Sequence, residues 1–235
     1  MIIIKYGGSI VNPDGKYSDA AIDRLVSIIE ENSDETFCLV IGGGKLARFL
    51  QDASQPFFEQ AQIPENQMNA DRDEIGIATT KINARYLQSR LSAIFAGQLC
   101  PTLLINPFVA PTDGYRIYLA TGYAPGNSTD YITIQLAATL GAHRVIKISD
   151  FPVVLDIKAL EFDKTKLGEY APLPTMTWEK MLDLVGDRWL AGGNYPLDPK
   201  GAVLGSRIKI KLLIGQYSQL EKMIAGEDFV GTTVQ

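Results

Sequence analysis

A lysine and a pair of glycines at the end of the first apolar run are the earliest residues suited to chemistry. Lys5, Gly7 and Gly8 follow the apolar residues 1–4. Glycine lets backbone N–H groups approach a polyanion because no side chain stands in the way. A lysine at that place could neutralise phosphate charge, or it could simply extend to solvent from the end of a strand. The neighbouring glycines favour the phosphate role.

A second glycine turn carries a stronger version of the same signal. Three consecutive glycines, residues 42–44, follow the apolar run 38–41, and Lys45 and Arg48 come next. A helix that begins at this turn would bring its N-terminus and two cations to one place, which suits a phosphate group. Neither turn matches the P-loop or the G-x-G-x-x-G dinucleotide pattern. The two turns together indicate phosphate chemistry of another kind.

Hydroxyl groups and carboxylates further along the chain form a third candidate site. Residues 125–130 have the sequence Pro-Gly-Asn-Ser-Thr-Asp and lead into a predicted helix. Ser128 or Thr129 could cap that helix, or the loop could contact a ligand, and the residue types favour neither. Asp73 and Thr80 are seven residues apart and therefore share one face of another predicted helix. That face could contact a ligand or solvent.

These residues need a scaffold, and the apolar pattern predicts one of alternating strands and helices. Strands are predicted at residues 2–5, 37–41, 102–105, 117–120, 144–148, 208–214 and 231–234. Helices are predicted at residues 18–30, 45–53, 73–95, 130–140, 177–185 and 218–225, with a turn-rich loop at 192–201. Such alternation predicts an α/β fold, with a mostly parallel central sheet sandwiched by helices. Ligands bind beyond the carboxyl ends of such strands, where both glycine turns and residues 122–130 and 149–156 are placed.

The whole chain is predicted to form a single domain with two lobes. No linker composition separates the halves of the 235-residue sequence. The pattern becomes less regular after Asp156, and residues 171–174, Ala-Pro-Leu-Pro, mark a break. The lobes are therefore predicted at about residues 1–149 and 150–235.

Composition and charge limit the partners. The chain is 46% hydrophobic with a net charge of −5, so neither nucleic acid nor an anionic membrane is expected as a partner. No apolar run approaches the roughly 20 residues that span a bilayer, and a cytoplasmic protein is expected. Cys38 and Cys100 lie in apolar runs and are expected to be reduced core residues. The single histidine, His143, has no triad or ligand cluster around it and is expected on the surface or hydrogen-bonded.

Four segments, taken in order, resemble the amino-acid kinase superfamily. They read Lys-Tyr-Gly-Gly-Ser at 5–9, Val-Ile-Gly-Gly-Gly-Lys-Leu-Ala-Arg at 40–48, Asp-Glu-Ile-Gly-Ile-Ala-Thr-Thr-Lys-Ile-Asn at 73–83 and Pro-Gly-Asn-Ser-Thr-Asp at 125–130. Within the superfamily the chain is most similar to uridylate (UMP) kinases of the archaeal type. Residues 226–234 resemble the C-terminal strand of those kinases. The resemblance implies an amino-acid kinase-like fold. It also implies transfer of the γ-phosphoryl group of ATP, with Mg²⁺, onto UMP to give UDP in pyrimidine nucleotide synthesis.

The resemblance also implies roles for individual positions. Lys5 and Asp130 match catalytic positions: the lysine stabilises the transferring phosphoryl group, and the aspartate closes the acceptor loop and orients charged groups. ATP is implied to contact Gly8, Ser9, Gly44, Arg48, Ser149, Asp150 and Leu155. UMP is implied to contact Gly43, Tyr123, Ala124, Pro125, Gly126, Asn127, Ser128, Thr129 and, through its ribose, Asp73. No protein side chain is implied as a metal ligand.

The same resemblance implies how the molecule is divided and assembled. The lobe at residues 1–149 would bind UMP, and the lobe at 150–235 would bind ATP. Relatives form dimers that often build into hexamers, so a homo-oligomer is expected.

The chain departs from the family pattern where the phosphate donor should bind. The family usually continues Thr-Asn-Val-Asp-Gly-Val-Tyr, whereas residues 149–155 read Ser-Asp-Phe-Pro-Val-Val-Leu. This segment contacts the adenosine half of ATP in the family, so the donor is left open. Lys147 matches a lysine of bacterial members or is an ordinary strand-end lysine. Lys200 could replace the lysine that the family has at the position of Val203.

Two other functions are compatible with these residues. The altered segment 149–155 would permit a protein that keeps the fold and binds a nucleotide or oxyanion with weak or no turnover. A kinase of another small phosphate or carboxylate acceptor is the second alternative. A carboxylate acceptor would want a different loop at residues 122–130, and isoprenoid phosphate kinases rely on an active-site histidine, a role that does not suit His143 at the start of a predicted strand. Phosphorylation of UMP is therefore the leading hypothesis.

Overall fold

Strands and helices alternate along the chain, as the sequence predicts. The computed structural model describes residues 1–13, 16–112, 114–188 and 194–235. The strands are β1 (Ile2–Tyr6), β2 (Phe37–Ile41), β3 (Ile117–Ala120), β4 (Arg144–Ile148), β5 (Thr175–Met176), β6 (Lys211–Gly215) and β7 (Gly231–Val234). The α-helices are α1 (Gly8–Val11), α2 (Asp19–Glu31), α3 (Gly44–Gln60), α4 (Glu65–Ser92), α5 (Thr129–Leu140), α6 (Trp178–Val185), α7 (Pro199–Ile208) and α8 (Leu220–Ala225).

The strands form a sheet in the order β3-β2-β1-β4-β6-β7-β5. β2 runs parallel to β3, β4 parallel to β6, and β5 parallel to β7, while β6 and β7 are antiparallel. Every residue of β2 and β3 is buried, as expected for apolar strands in a sheet that helices cover on both faces. The predicted α/β fold with a mostly parallel sheet is confirmed.

The chain consists of two compact units. One unit contains Lys5–Thr129, and the other contains Met1–Ile4 with Asp130–Gln235. The first unit holds β2, β3, α1 to α4 and the end of β1, and the second holds the start of β1 and all later elements. The prediction that residues 1–149 and 150–235 bind different nucleotides concerns function, and it stays a prediction.

Helix α4 begins earlier than the sequence pattern predicts. It starts at Glu65, directly after Pro64, whereas the prediction places its first residue at 73. The first two turns are polar and carry no apolar stripe, so periodicity does not reveal them. A proline just before an acidic residue was the available signal, because an acidic side chain suits the first turn of a helix.

Helix α3 continues past Pro56, although the prediction ends it at residue 53. Proline removes a backbone N–H and usually kinks or ends a helix. Here Arg72 of α4 donates to the carbonyl of Gln51 at 3.3 Å and to Oε1 of Gln55 at 2.7 Å. The side-chain amide of Gln51 in turn donates to the carbonyl of Arg72 at 2.8 Å. These contacts from a neighbouring helix support α3 where the proline weakens it.

The region that follows residue 194 also differs from the prediction. The predicted loop at 192–201 gives way to α7 before its end, and the predicted strand at 208–214 starts only with β6. Residues 189–193 lie outside the described part of the chain. Asp198 begins α7, because its Oδ1 accepts two backbone N–H groups of the first turn at 2.8 and 3.2 Å.

Two glycines of α7 allow close packing with neighbouring elements. A Cβ built on Gly205 would lie 2.8 Å from Cζ2 of Trp178, whose Nε1 donates to the carbonyl of Ile210 at 3.0 Å. A Cβ on Gly201 would lie 3.5 Å from Cα of Tyr131. Glycine inside a helix lowers its propensity, but here it lets neighbouring elements approach closely.

Two shorter predictions need correction. The predicted strand at 102–105 is reduced to an isolated bridge between Leu104 and Ala120. The predicted helix at 218–225 starts with a 3-10 turn, Tyr217–Gln219, before α8 begins. Both segments are short, and the ends of short elements are poorly marked by periodicity.

The remaining expectations concern single residues and the membrane. Cys38 and Cys100 are buried free thiols, as predicted. Nδ1 of His143 lies 3.1 Å from the terminal amine of Met1, so the histidine is hydrogen-bonded. Among the described residues, no helix combines the length and the apolar character that crossing a membrane requires.

Candidate functional site

The two glycine turns pack directly against each other in the Lys5–Thr129 unit. Gly42 donates its N–H to the carbonyl of Tyr6 at 3.2 Å. A Cβ built on Gly42 would lie 2.7 Å from the nitrogen of Gly8. A Cβ on Gly8 would lie 2.5 Å from the carbonyl oxygen of Gly42 and would overlap the nitrogen of Gly44. Side chains are excluded at these positions because backbone atoms occupy the space.

The backbone angles at the triple-glycine turn give it an anion-binding shape. Gly43 has φ −76° and ψ −29°, in the right-handed region, and Gly44 has φ +66°, in the left-handed region. A right-handed residue followed by a left-handed one turns successive N–H groups toward one concavity, called a nest, which binds anions. Helix α3 begins at Gly44, so its N-terminus adds positive potential at the same place. The turn therefore has the donors that a phosphate group needs.

Asn83 of α4 contacts the carbonyl side of this turn. Its Nδ2 lies 2.9 Å from the oxygen of Gly42 and 3.1 Å from the oxygen of Gly43. Its Oδ1 accepts hydrogen bonds from Nδ2 of Asn12 at 3.0 Å and from the hydroxyl of Tyr17 at 3.2 Å. Asn83 and Asn12 are 0% and 1% exposed, so this polar network is part of the core.

The loop that follows β3 is held by the same helix. Oγ1 of Thr80 accepts the N–H of Gly122 at 2.9 Å and donates to the carbonyl of Ile77 at 2.7 Å. Oδ2 of Asp73 accepts the N–H of Gly126 at 2.6 Å. Thr80 is buried and Asp73 is exposed. The shared face of these two residues therefore contacts the loop.

One stretch of α4, residues 73–83, contacts both the triple-glycine turn and the loop that follows β3. A Cβ on Gly43 would lie 3.5 Å from the oxygen of Gly76 and 3.8 Å from Cβ of Thr79. A Cβ on Gly122 would lie 3.2 Å from Cγ1 of Ile77. Since an α-helix has 3.6 residues per turn, these contacts come from adjacent faces of three helical turns. The helix thus brings together the glycine turn and the loop to which the resemblance assigns UMP.

The loop itself is closed by its own side chains. Nδ2 of Asn127 donates to the carbonyls of Ala124 and Pro125, at 3.1 and 3.3 Å. Tyr123 is 38% exposed and packs edge-on against Phe108, with ring centroids 5.7 Å apart. Phe108 is not among the predicted site residues, and no local sequence signal distinguishes it from other loop aromatics.

The other predicted residues of this unit lie at the margins of the two turns. Lys5 is half-buried in β1, next to the tyrosine whose carbonyl accepts from the triple-glycine turn. Ser9 is half-buried in α1, and Arg48 is exposed near the start of α3. Ser128 and Thr129 are half-buried at the end of the loop. Their contacts with nucleotides stay predictions.

The second unit contains a buried ion pair at a predicted site residue. Nζ of Lys147 lies 2.6 Å from Oδ2 of Asp130 and 2.6 Å from the carbonyl oxygen of Pro196. The two charged side chains are only 8% and 14% exposed. Low solvent access strengthens their attraction but also makes each charge costly without the other. Lys147 is therefore not an ordinary strand-end lysine that extends into solvent.

The segment that departs from the family pattern is fixed by hydrogen bonds. The N–H of Ser149 donates to the carbonyl of Gly215 at 2.9 Å, and the N–H of Val154 donates to Oγ1 of Thr232 at 2.9 Å. The carbonyl of Asp150 accepts from the side-chain amide of Gln216 at 3.2 Å. A mostly apolar cavity here is lined by Phe151, Val153, Val154, Leu155, Ile157, Phe162, Leu167, Asn194 and Pro196.

Sequence reasoning missed Asn12 as a site residue. It lies 71 residues before Asn83 in the chain, and only the fold brings the two amides together. Of the two backbone partners of this network, Gly42 and Gly43, the predicted site included only Gly43. A buried asparagine four residues after a glycine pair has no recognised pattern, so no sequence signal was available.

Comparison with known proteins assigns the chain to a family. The model of the amino acid kinase family matches residues 1–216. The chain belongs to the amino acid kinase family. In this family member the matched region contains both glycine turns, α4, the loop after β3 and the buried ion pair.

Several proteins similar to this amino acid kinase family member bear the same name. Uridylate kinase of Thermoplasma volcanium is 26% identical over 237 residues, which cover 100% of this chain and 97% of the relative. Uridylate kinase of Methanococcus aeolicus is 23% identical, with 91% and 89% covered. The crystal structure of uridylate kinase from Archaeoglobus fulgidus superposes with a TM-score of 0.78 at 22% identity and covers 100% of this chain and 99% of that one.

Proposed function

We propose that this protein is a UMP kinase that transfers the γ-phosphoryl group of ATP to UMP and forms UDP. The observation that carries the proposal is the stretch of α4 at residues 73–83, which contacts both the triple-glycine nest and the loop after β3. Relatives named uridylate kinase match the chain nearly end to end, which supports the same assignment. We place the reaction in the cytoplasm and in pyrimidine nucleotide synthesis.

The proposed catalysis works by positioning and electrostatics. Phosphoryl transfer spreads negative charge over the equatorial oxygens, so positive groups near them lower the barrier. Lys5 supplies a cation to the transferring group, and the backbone N–H groups of Gly43 and Gly44 bind phosphate oxygens. Asp73 binds the ribose of UMP, and Asp130 orients the charged groups with Lys147 as its partner. Bound reactants held in line need no further base.

Magnesium enters this proposal with the nucleotide. Mg²⁺ commonly keeps several waters and binds substrate phosphates with one or two carboxylates at most. The described ranges contain no group of three or more His, Cys, Asp or Glu side chains that could hold an ion. When bound, the ion neutralises charge on the β- and γ-phosphate oxygens.

The donor is placed at the apolar cavity of the second unit. A planar base can pack against Phe151, Val153 and Leu155, and apolar walls with few polar groups are typical of nucleobase sites. Ser149 and Asp150, at the start of the segment, are then available to the ribose and phosphates.

We expect the enzyme to work as a homo-oligomer, dimer or hexamer.

The proposal is tested by a coupled assay of ADP release across nucleoside monophosphates. We expect turnover with UMP at least tenfold above that with AMP, GMP or CMP. The Lys5→Met variant should lower kcat by at least 100-fold, because the removed charge acts mainly on the transition state. Lys81→Met, on the exposed face of α4, is the matched control and should keep wild-type rates. Equal turnover in wild type and Lys5→Met would contradict the proposal.

A nucleotide-binding protein without turnover is the second candidate. Pro152 and Val153 replace the turn that the resemblance leads one to expect near the donor, and this departure favours it. Isothermal calorimetry distinguishes the two candidates. Binding of ATP and UMP with no product formed would support the second candidate, whereas UMP-dependent ADP release would exclude it.

A further inference from the structure

We infer that Asn83 is a positioning residue that aims the N–H groups of Gly43 and Gly44 at bound phosphate. The inference rests on the proposed function for its substrate, but its argument is geometric. It extends the role of α4 from supporting a turn to setting the direction of its donors.

Two peptide groups of the triple-glycine turn determine where its N–H groups point. The carbonyl of Gly42 and the N–H of Gly43 belong to one peptide plane, and the carbonyl of Gly43 and the N–H of Gly44 belong to the next. In a planar trans peptide the C=O and N–H bonds point in opposite directions, and the described residues contain no cis peptide bond. Nδ2 of Asn83 donates to both carbonyls, at 2.9 and 3.1 Å, so both C=O bonds point toward Asn83. Both N–H groups must then point away from Asn83.

The side-chain amide of Asn83 is itself held in one orientation. Two carbonyl oxygens can only accept, so the amide nitrogen must face them and Oδ1 must face the other way. There it accepts from Nδ2 of Asn12 at 3.0 Å and from the hydroxyl of Tyr17 at 3.2 Å. Desolvation, and then the interaction with Tyr86, raises the pKa of Tyr17, so the hydroxyl remains a protonated donor. The orientation of the amide is therefore set from both ends.

The arrangement places one buried polar atom of Asn12 in an unfavourable environment. Oδ1 of Asn12 is buried and receives no hydrogen bond from the residues that the structure describes, and it lies 2.5 Å from where a Cβ of Gly44 would be. A buried acceptor that lacks a donor is unfavourable, so an apolar side chain would serve stability alone better at this place. Asn12 is explained by its other atom, Nδ2, which fixes Asn83. A local cost next to the nest is consistent with a site organised for ligand binding.

Asn83→Asp tests the inference because it keeps the shape and removes the donor. A carboxylate at residue 83 would repel both carbonyls, so the two peptide planes should rotate and the nest should lose its donors. Asn32→Asp is the matched control: Nδ2 of Asn32 also donates to a backbone carbonyl, that of Ile28, at 2.8 Å, but at the end of α2. The probe is inorganic tripolyphosphate, with binding measured by calorimetry.

We expect Asn83→Asp to weaken tripolyphosphate binding at least tenfold and to leave the affinity for uridine unchanged. Asn32→Asp should bind both as the wild type does. A folded Asn83→Asp protein with wild-type tripolyphosphate affinity would overturn the inference, as would a wild type that fails to bind tripolyphosphate. An equal loss for uridine and tripolyphosphate would also overturn it, because a merely structural role affects both.

Tyr17→Phe decides the question if Asn83→Asp does not fold. It removes one donor to Oδ1 and retains the ring that stacks on Tyr86 at 3.6 Å between centroids. A two- to fivefold loss of tripolyphosphate affinity supports the inference, and no loss overturns it. Because these assays need no turnover, a wild type that binds tripolyphosphate but does not phosphorylate UMP would refute the proposed function alone.

Discussion

Gly44 meets two separate requirements, one of backbone angle and one of space. Its φ of +66° lies in the left-handed region, which side chains other than glycine adopt at a cost. A Cβ there would also lie 2.5 Å from Oδ1 of Asn12 and 2.6 Å from the oxygen of Gly8. Gly97 meets the first requirement only, since its φ is +75° and, its chain neighbours aside, no described residue has an atom within 4 Å of a Cβ built there. Comparing Gly44 with Gly97 therefore separates the effect of backbone strain from the effect of steric overlap.

We predict that Gly44→Ala destabilises the protein much more than Gly97→Ala. The left-handed conformation should cost Gly97→Ala about 1 kcal/mol. The added overlap with backbone atoms should bring the cost of Gly44→Ala above about 3 kcal/mol and should abolish tripolyphosphate binding. Urea unfolding curves give both values. Similar free energies of unfolding for the two variants would show that the turn opens to admit a side chain.

Cys38 gives the molecule a predictable response to alkaline pH. Burial in β2 raises the pKa of its thiol to about 12, whereas an unfolded thiol has a pKa of about 8.5. The unfolded state therefore releases its proton first as pH rises. The stability that the protonated thiol contributes is complete below about pH 8.5 and is lost progressively toward pH 12.

We expect Cys38→Ala to be less sensitive to alkali than the wild type. Between pH 9 and 10.5 the free energy of unfolding of the wild type should fall more steeply, by up to about 1.4 kcal/mol per pH unit. Urea titrations of both proteins from pH 7 to 10.5 measure the difference. Below pH 8 that difference should be constant and should report only the cavity that the substitution leaves. Parallel curves above pH 9 would contradict the burial argument.

At the scale of elements, every strand except β5, together with the two glycine turns, could be predicted from the sequence. These strands are short and mostly apolar, β1 and β2 lead into the glycine turns, and this pattern is local. The start of α4 and the whole of α7 could not, because one begins with polar turns and the other contains glycines that pack on neighbours such as Trp178. Contacts with neighbouring elements stabilise the start of α4 and the whole of α7, and the sequence pattern along the chain does not show those contacts.

The candidate site divides in the same way. Gly43, Gly44 and Asp73 could be predicted because each lies in a contiguous motif, 40–48 or 73–83, and the fold brings Gly43 against the helix that carries Asp73. The pairing of Asn12 with Asn83 could not, since 71 residues separate them. Lys147 was noticed, but its pairing with a carboxylate depends on how β4 lies beside the start of α5.

That ion pair gives a prediction at the scale of elements. Asp130 is in the first turn of α5, and Lys147 is in β4, so the pair connects a helix to the sheet. Lys147→Met should lower the free energy of unfolding by about 3–5 kcal/mol, because it leaves a buried carboxylate without its cation. The double variant Asp130→Leu with Lys147→Met should recover most of that loss, since neither charge then remains.

An exposed pair in the same unit serves as the control. Nζ of Lys180 lies 2.6 Å from Oδ1 of Asp156, with side chains 35% and 42% exposed. Asp156→Asn should change the unfolding midpoint far less than Lys147→Met does, because water replaces the lost partner. Equal shifts for the two pairs would mean that Lys147 is not buried in solution.

At the scale of the whole molecule, the two compact units allow the nucleotides to be located separately. The triple-glycine nest and the loop at residues 122–129 belong to Lys5–Thr129, whereas the apolar cavity belongs to the unit that contains Asp130–Gln235. A ligand that binds only the native state slows every opening that releases it, by about 100-fold when its free concentration is 100 times its Kd. Hydrogen exchange resolves such protection along the chain.

We predict that UMP alone slows exchange in residues 73–83 and 122–129, and that ADP alone slows it in residues 149–157. The reason is that the amides of the loop are held by α4 through Asp73 and Thr80, whereas the amides of the donor segment are held by β6 and β7. Mass spectrometry of peptides from each range measures both effects, and uridine at the same concentration controls for contacts to the base. Protection of 149–157 by UMP, with none from ADP, would reverse the assignment of acceptor and donor. Protection confined to the glycine turns with either nucleotide would instead indicate a phosphate-binding protein that does not recognise the base.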